Sequence, residues 1–181
     1  EAAMTLLDDL GIRFDLTLEP GRRQVPSYHP GKPSTGFVPD QRGVPPHPYR
    51  PVRGRFRSAD PARHAGLVEI PVTTAWVRPL QGLRARPTPA CALEWLKFRL
   101  RPWFDTAGLY HEPRRLRSLV DVALEAGASY LSLPVRSDSF LRNLQTGELD
   151  RSLELLLAHP LASRFEFTTP GQLVATVAPA L

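Results

Sequence analysis

Ala128-Ser129-Tyr130-Leu131-Ser132-Leu133-Pro134-Val135-Arg136-Ser137-Asp138-Ser139 is the stretch whose reading decides the fold. Its apolar first half reads as a buried strand, and its polar end emerges at one edge of a sheet. A helix closing at Gly127 feeds it, and a further helix follows a short polar loop. In α/β folds the functional groups gather at the carboxyl ends of strands, so Arg136, Ser137 and Asp138 are the first candidates for chemistry. A guanidinium fork at a strand mouth can hold a carboxylate or phosphate, and Asp138 can orient that fork or bind a hydroxyl. An Arg136–Asp138 pair that only closes the loop is the competing reading.

Working outward, Pro113 sits where a helix tolerates a missing N–H, and Leu116, Leu119, Val120, Val122, Ala123 and Ala126 form one apolar face behind it. Upstream, Ala3, Leu6, Leu7 and Leu10 carry helical spacing, and Gly11 follows as a cap. Ile12 to Leu18 alternates apolar and polar, which predicts a strand; Leu67 to Thr74 predicts another, with Pro71 marking an edge or bulge. Glu69 is a charge inside that apolar run, either paired or lining a cavity. Ala90 to Leu100 reads as a helix ended by Pro102-Trp103-Phe104-Asp105, and residues 76–87 as irregular. A helix over Glu148 to Ala158, a short strand over Arg164 to Thr168, and a final helix opened by Thr169-Pro170-Gly171 complete the chain. Strands alternating with helices imply an α/β fold with a parallel sheet and right-handed crossovers.

Between Pro20 and Gly66 the pattern changes. Ten of the chain's 20 prolines fall there, so the region reads as one long loop without helix or sheet interior. Eight arginines and Lys32 stand against Asp40 and Asp60, a local charge of +7 in a chain whose net charge is +5. The basic character therefore belongs to the loop and not to the fold. Such a patch suits an anionic or hydroxyl-rich ligand, a nucleic acid or a membrane surface; a solvated arginine loop is the plain alternative. Tyr28, His29, Phe37, His47, Tyr49 and Phe56 are interspersed, able to stack on a ligand or to pin the loop to the body.

Several classes are excluded. Cys91 is the single cysteine, so a disulfide framework and a cysteine zinc site are both out. The apolar runs fall short of the roughly 18 residues that span a bilayer. The five histidines show no i, i+4 pair, and GxxxxGK[ST], GxGxxG and GxSxG are missing. His159, at a helix end, reads as a cation placed for the helix dipole. At 181 residues the length fits one domain, residues 1–181, with the loop 20–66 inside it.

A family resemblance joins these pieces. Leu7-Asp8-Asp9-Leu10-Gly11-Ile12-Arg13-Phe14-Asp15-Leu16-Thr17-Leu18-Glu19-Pro20-Gly21 resembles a leader helix followed by a strand and a Pro-Gly turn in NodB-like polysaccharide deacetylases. Pro48-Tyr49-Arg50-Pro51, then Gly66-Leu67-Val68-Glu69-Ile70-Pro71-Val72, resemble the segments that follow in that family. Tyr130 to Asp138 stands where the family has a strand ending in His-Ser-acid, and Leu155 to Thr169 is similar to its closing stretch. The resemblance implies a distorted or incomplete (β/α)7 barrel. It implies hydrolysis of acetyl groups on a bacterial surface sugar or sugar precursor, with a divalent metal, zinc foremost, as cofactor. It further implies that the Thr-x-Asp-Asp and His-x-x-x-His metal motifs precede Glu1, since neither is found in this sequence; no metal ligand is assigned here. Asp8-Asp9 is not that motif, because it falls in a helix.

The site expected on this basis has Arg136 and Asp138 as catalytic groups, and Asp15, Glu69, Tyr49, Arg50 and Ser137 as substrate-binding groups. Arg136 replaces the family's acid histidine; an arginine keeps its proton, so it can stabilise an oxyanion but not shuttle a proton. Parallel strands are expected to deliver Asp15, Glu69 and Arg136 to one rim, roofed by the arginine loop. The expected partner is a carbohydrate, without a membrane span, in the cytoplasm. A non-catalytic carbohydrate-binding domain on the same scaffold is the alternative, and a nucleic-acid-binding role through the arginine loop ranks last.

Overall fold

A computed structural model describes residues 2–26, 37–77, 103–109, 111, 113–135 and 147–177. Arg136, Ser137, Asp138, the helix expected over Ala90 to Leu100, Tyr28, His29 and Cys91 lie outside the described residues. The chain divides into two compact units, Glu1–Pro71 with Thr168–Leu181, and Val72–Phe167.

In the first unit, α1 spans Ala2–Asp9. The Gly11 N–H donates to the Asp8 carbonyl (3.0 Å) and the Ile12 N–H to the Leu7 carbonyl (3.0 Å), the paired bonds that close a helix at a C-terminal glycine. β1 (Phe14–Asp15) follows and pairs in parallel with β6 (Val68–Glu69), Phe14 opposite Val68 and Asp15 opposite Glu69. Alternation predicts a strand to Leu18, yet the ladder stops at Asp15. There the Asp15 carboxylate accepts the Thr17 hydroxyl (2.6 Å) and Thr17 N–H (3.4 Å), a local turn that competes with strand pairing. Ile12 and Leu16 consequently stay exposed, while Leu18 is buried.

The described parts of the proline-rich region contain short paired strands. β2 (Val25–Pro26) pairs antiparallel with β3 (Phe37–Val38), and β4 (Pro51–Val52) with β5 (Arg55–Ala59). Both ribbons are two-stranded, so Pro26 and Pro51 can each sit on an edge where no donor is needed. Leu18, Val44, Tyr49 and Phe56 form the core of this unit, with Met4 packed against them. The last helix of the chain, α4 (Pro170–Val177), belongs to this unit as well. Its start follows the expected threonine cap: the Gln172 N–H donates to Thr169 Oγ1 (3.3 Å), and Gln172 Oε1 accepts the Thr169 N–H (2.9 Å).

In the second unit, β7 (Thr74–Val77) pairs antiparallel with β8 (Trp103–Thr106), with Trp76 and Phe104 rings 5.4 Å apart. Neither strand is expected from the sequence, and the pairing is not the parallel one that helix–strand alternation suggests. α2 (Pro113–Glu125) packs on β7, and α3 (Glu148–Leu157) on α2. The core is Ala75, Val77, Ala107, Leu116, Leu119, Val120 and Leu156. Pro113 does open α2, as its position implies.

The decisive stretch behaves differently from its reading. Residues 128–135 form no strand ladder among the described residues. Ser132 is tied to Thr73 twice, through its carbonyl (2.9 Å) and by donating its N–H to the Thr73 hydroxyl (2.8 Å); Pro134 accepts the Leu109 N–H (3.0 Å). A side-chain hydroxyl stands where a neighbouring strand would offer a carbonyl, and Pro134 has no N–H to extend a ladder. Leu131 and Leu133 still pack against the core. Where a strand is expected over Arg164 to Thr168, the chain makes a 3₁₀ turn, Ala162–Arg164, and then runs on without a strand ladder among the described residues.

Candidate functional site

The parallel pairing of β1 and β6 sets Asp15 beside Glu69, but the open rim expected of these two residues is not formed by Glu69, which is closed in the interior. Glu69 is fully buried, and both carboxyl oxygens are closed to solvent with no donor in reach among the described residues. Burial first, then the negative charge of Asp15, push the Glu69 carboxyl up to about 8. A hydrogen bond between two carboxyls exists only when one carries a proton, so Asp15 is a partner for protonated Glu69 alone. Asp15 is half-buried and held by Thr17, and it is the member of the pair with an open face.

Tyr49 backs Glu69 from a third segment. Tyr49 exchanges both backbone hydrogen bonds with Glu69, donating at 3.0 Å and accepting at 2.8 Å, which extends β6 on its other side. Its ring is in the core and its hydroxyl donates to the Phe56 carbonyl, so Tyr49 supports Glu69 from inside and presents no face to solvent. Arg50 is buried too; Nη1 donates to the Gly66 carbonyl at 2.9 Å. Of the seven residues expected at the site, Asp15, Glu69, Tyr49 and Arg50 gather in this unit, whereas Arg136, Ser137 and Asp138 lie outside the described residues.

One group escapes the sequence reading. Asp8 accepts the Arg63 guanidinium and the Leu67 N–H (3.0 Å), and Arg63 also donates to the carbonyls of Pro51 and Ala65, each at 3.0 Å. The Arg63 hydrogen bond, then the Leu67 N–H, hold the Asp8 carboxyl below its ordinary range. This clamp ties α1 to the entry of β6. The acidic pair at the end of a helix was a visible signal, but the partner lies 55 residues away in sequence, and only folding reveals it.

The second unit contains two polar clusters with structural roles. Asp121 accepts from Arg117 Nε (3.0 Å) and pairs with His159 Nε2 (2.9 Å), while His159 Nδ1 accepts the Leu161 N–H (3.0 Å). The expected dipole role of His159 gives way to this arrangement: the buried ring bridges α2 and the turn after α3, with its hydrogen on Nε2. Asp105 accepts from Arg115 at the start of α2, and His111 Nε2 lies 2.8 Å from the Thr106 carbonyl. Burial holds His111 below its ordinary value.

Among the described residues no three of His, Cys, Asp or Glu are grouped so that they could hold a metal ion. Among those residues, too, no helix is long and apolar enough to cross a membrane. Comparison of the chain with protein-family models, with curated proteins and with solved structures returned no match.

Proposed function

We propose that the chain forms a polysaccharide-deacetylase-like domain that acts on an acetylated carbohydrate, with the Asp15–Glu69 pair as its proton-handling centre. The observation that carries this reading is the parallel register that sets a solvent-closed, proton-holding glutamate against a half-open aspartate. Carboxyl pairs with separated proton affinities are what hydrolytic acid–base chemistry needs. Asp15 has the face that can meet substrate, accepting a proton from water or a sugar hydroxyl. Glu69 acts through Asp15: protonated, it can donate a hydrogen bond to the Asp15 carboxylate; ionised, it cannot. Glu69 is thus a positioning residue.

The test is acetate release from N-acetylated and O-acetylated oligosaccharides by the full chain, with and without added zinc, across pH. Activity with an inflection near the Glu69 value, lost in Asp15→Asn and flattened in Glu69→Gln, supports the reading. Neither acetate release nor oligosaccharide binding under any condition refutes it. A binding-only carbohydrate domain is the second reading. It calls for saturable oligosaccharide binding, weakened in Asp15→Asn, with no acetate released.

A further inference from the structure

The first unit also contains a cavity of about 390 Å³ whose wall includes Asp8, Ile12, Arg13, Arg50, His64 and Val174. Neither Asp15 nor Glu69 lines it, so it is a different site from the carboxyl pair. Its wall is unbalanced in charge. Asp8 is the carboxylate there, and it is already engaged by Arg63 and by the Leu67 N–H. Arg50 is only 5% exposed. One of its nitrogens donates to the Gly66 carbonyl, but Nε is closed to solvent with no acceptor among the described residues, and no described carboxylate lies within ion-pair distance. A guanidinium is a permanent charge, and burying one without a counter-ion is costly. Both burial and the nearby Arg63 charge disfavour the charged form of Arg50, so the surroundings supply no compensation. Arg13 and His64, both exposed at the wall, add donors that point to the same ligand chemistry.

We propose that this cavity binds a small oxyanion, of carboxylate or phosphate type, with Arg50 as the buried counter-charge and Arg13 and His64 as its outer contacts. The anion supplies the counter-charge that Arg50 lacks among the described residues. Ile12 and Val174 give the cavity an apolar side, which suits an anionic group carried on a carbon body such as an acidic or phosphorylated sugar.

The test is calorimetric titration of the full chain at low ionic strength with inorganic phosphate and, separately, with glucuronate, using glucose as the neutral control. Saturable binding of either anion in the millimolar range or tighter, with glucose inert, is the expected result. Phosphate alone identifies a phosphate site and glucuronate alone a carboxylate site. The double variant Arg13→Gln/His64→Gln changes exposed side chains only, and it should raise the dissociation constant about tenfold or more. Arg50→Gln, checked for folding by circular dichroism, should abolish binding. Glu69→Gln should leave anion affinity unchanged, which separates this site from the carboxyl pair. No saturable binding of either anion, or binding that the double variant leaves intact, overturns the proposal.

Discussion

Replacing Glu69 by glutamine should remove a loss of stability that the first unit suffers as pH rises. The glutamate is fully buried, and its proton affinity is raised from the ordinary 4.5 to about 8. The folded chain therefore keeps a proton that the unfolded chain releases. Its stabilising effect is complete below the unfolded value and is lost as pH rises from there through the folded value. Each tenfold difference in proton affinity corresponds to about 1.4 kcal/mol, so the window from 4.5 to about 8 corresponds to a loss of at most about 5 kcal/mol. Relaxation around an ionised Glu69 trims this, and roughly 2–5 kcal/mol is the expected range. That is a large part of the stability of a typical domain, about 5–15 kcal/mol. Glu69→Gln keeps the shape and a donor toward Asp15 but cannot ionise. Urea denaturation followed by circular dichroism should find wild type and variant close to each other at about pH 5 and the variant clearly more stable at about pH 9. Taking the difference between the two proteins cancels the groups remote from Glu69. A difference between the two proteins that stays constant within about 1 kcal/mol across that range refutes the reasoning.

Three further outcomes are expected. Gly66 has φ +88, and a Cβ there would lie 2.4 Å from Arg63 Nη2 and 2.7 Å from Asp8 Oδ1; Gly54 has φ +75 with nothing within 4 Å. Gly54→Ala should thus cost only the backbone term of about 1–2 kcal/mol, and Gly66→Ala measurably more, because it also breaks the Asp8–Arg63 clamp; equal losses in thermal denaturation would count against that clamp. Tyr49→Phe removes the buried hydroxyl that donates to the Phe56 carbonyl and should cost about 1–2 kcal/mol with no change in secondary structure, read from the urea midpoint. Asp8→Asn should cost about 1–3 kcal/mol at neutral pH. Because the Asp8 carboxyl is held below its ordinary value of 3.8, its contribution is present above that value and lost as pH falls through the folded one. Wild type and variant should therefore converge on acidification, and a gap that persists unchanged in acid would place the loss elsewhere.

Local signals in the sequence carried the elements whose causes are local. Helical spacing with Gly11 placed α1, Pro113 with an apolar stripe placed α2, and Thr169-Pro170 placed the start of α4, because caps and periodicity act within a turn or two. Glu69 stood out for the same kind of reason, as a lone charge in an apolar run. Elsewhere the outcome rested on partners distant in the chain. Ser132 met a Thr73 hydroxyl instead of a strand, β7 found β8 with Val77 opposite Trp103, and Pro26 and Pro51 settled into two-stranded ribbons that a proline count argues against. The proton affinity of Glu69 belongs to this second class. Its carboxyl is ordinary until the parallel register buries it against Asp15, since desolvation and a like charge are properties of the folded neighbourhood and not of the residue.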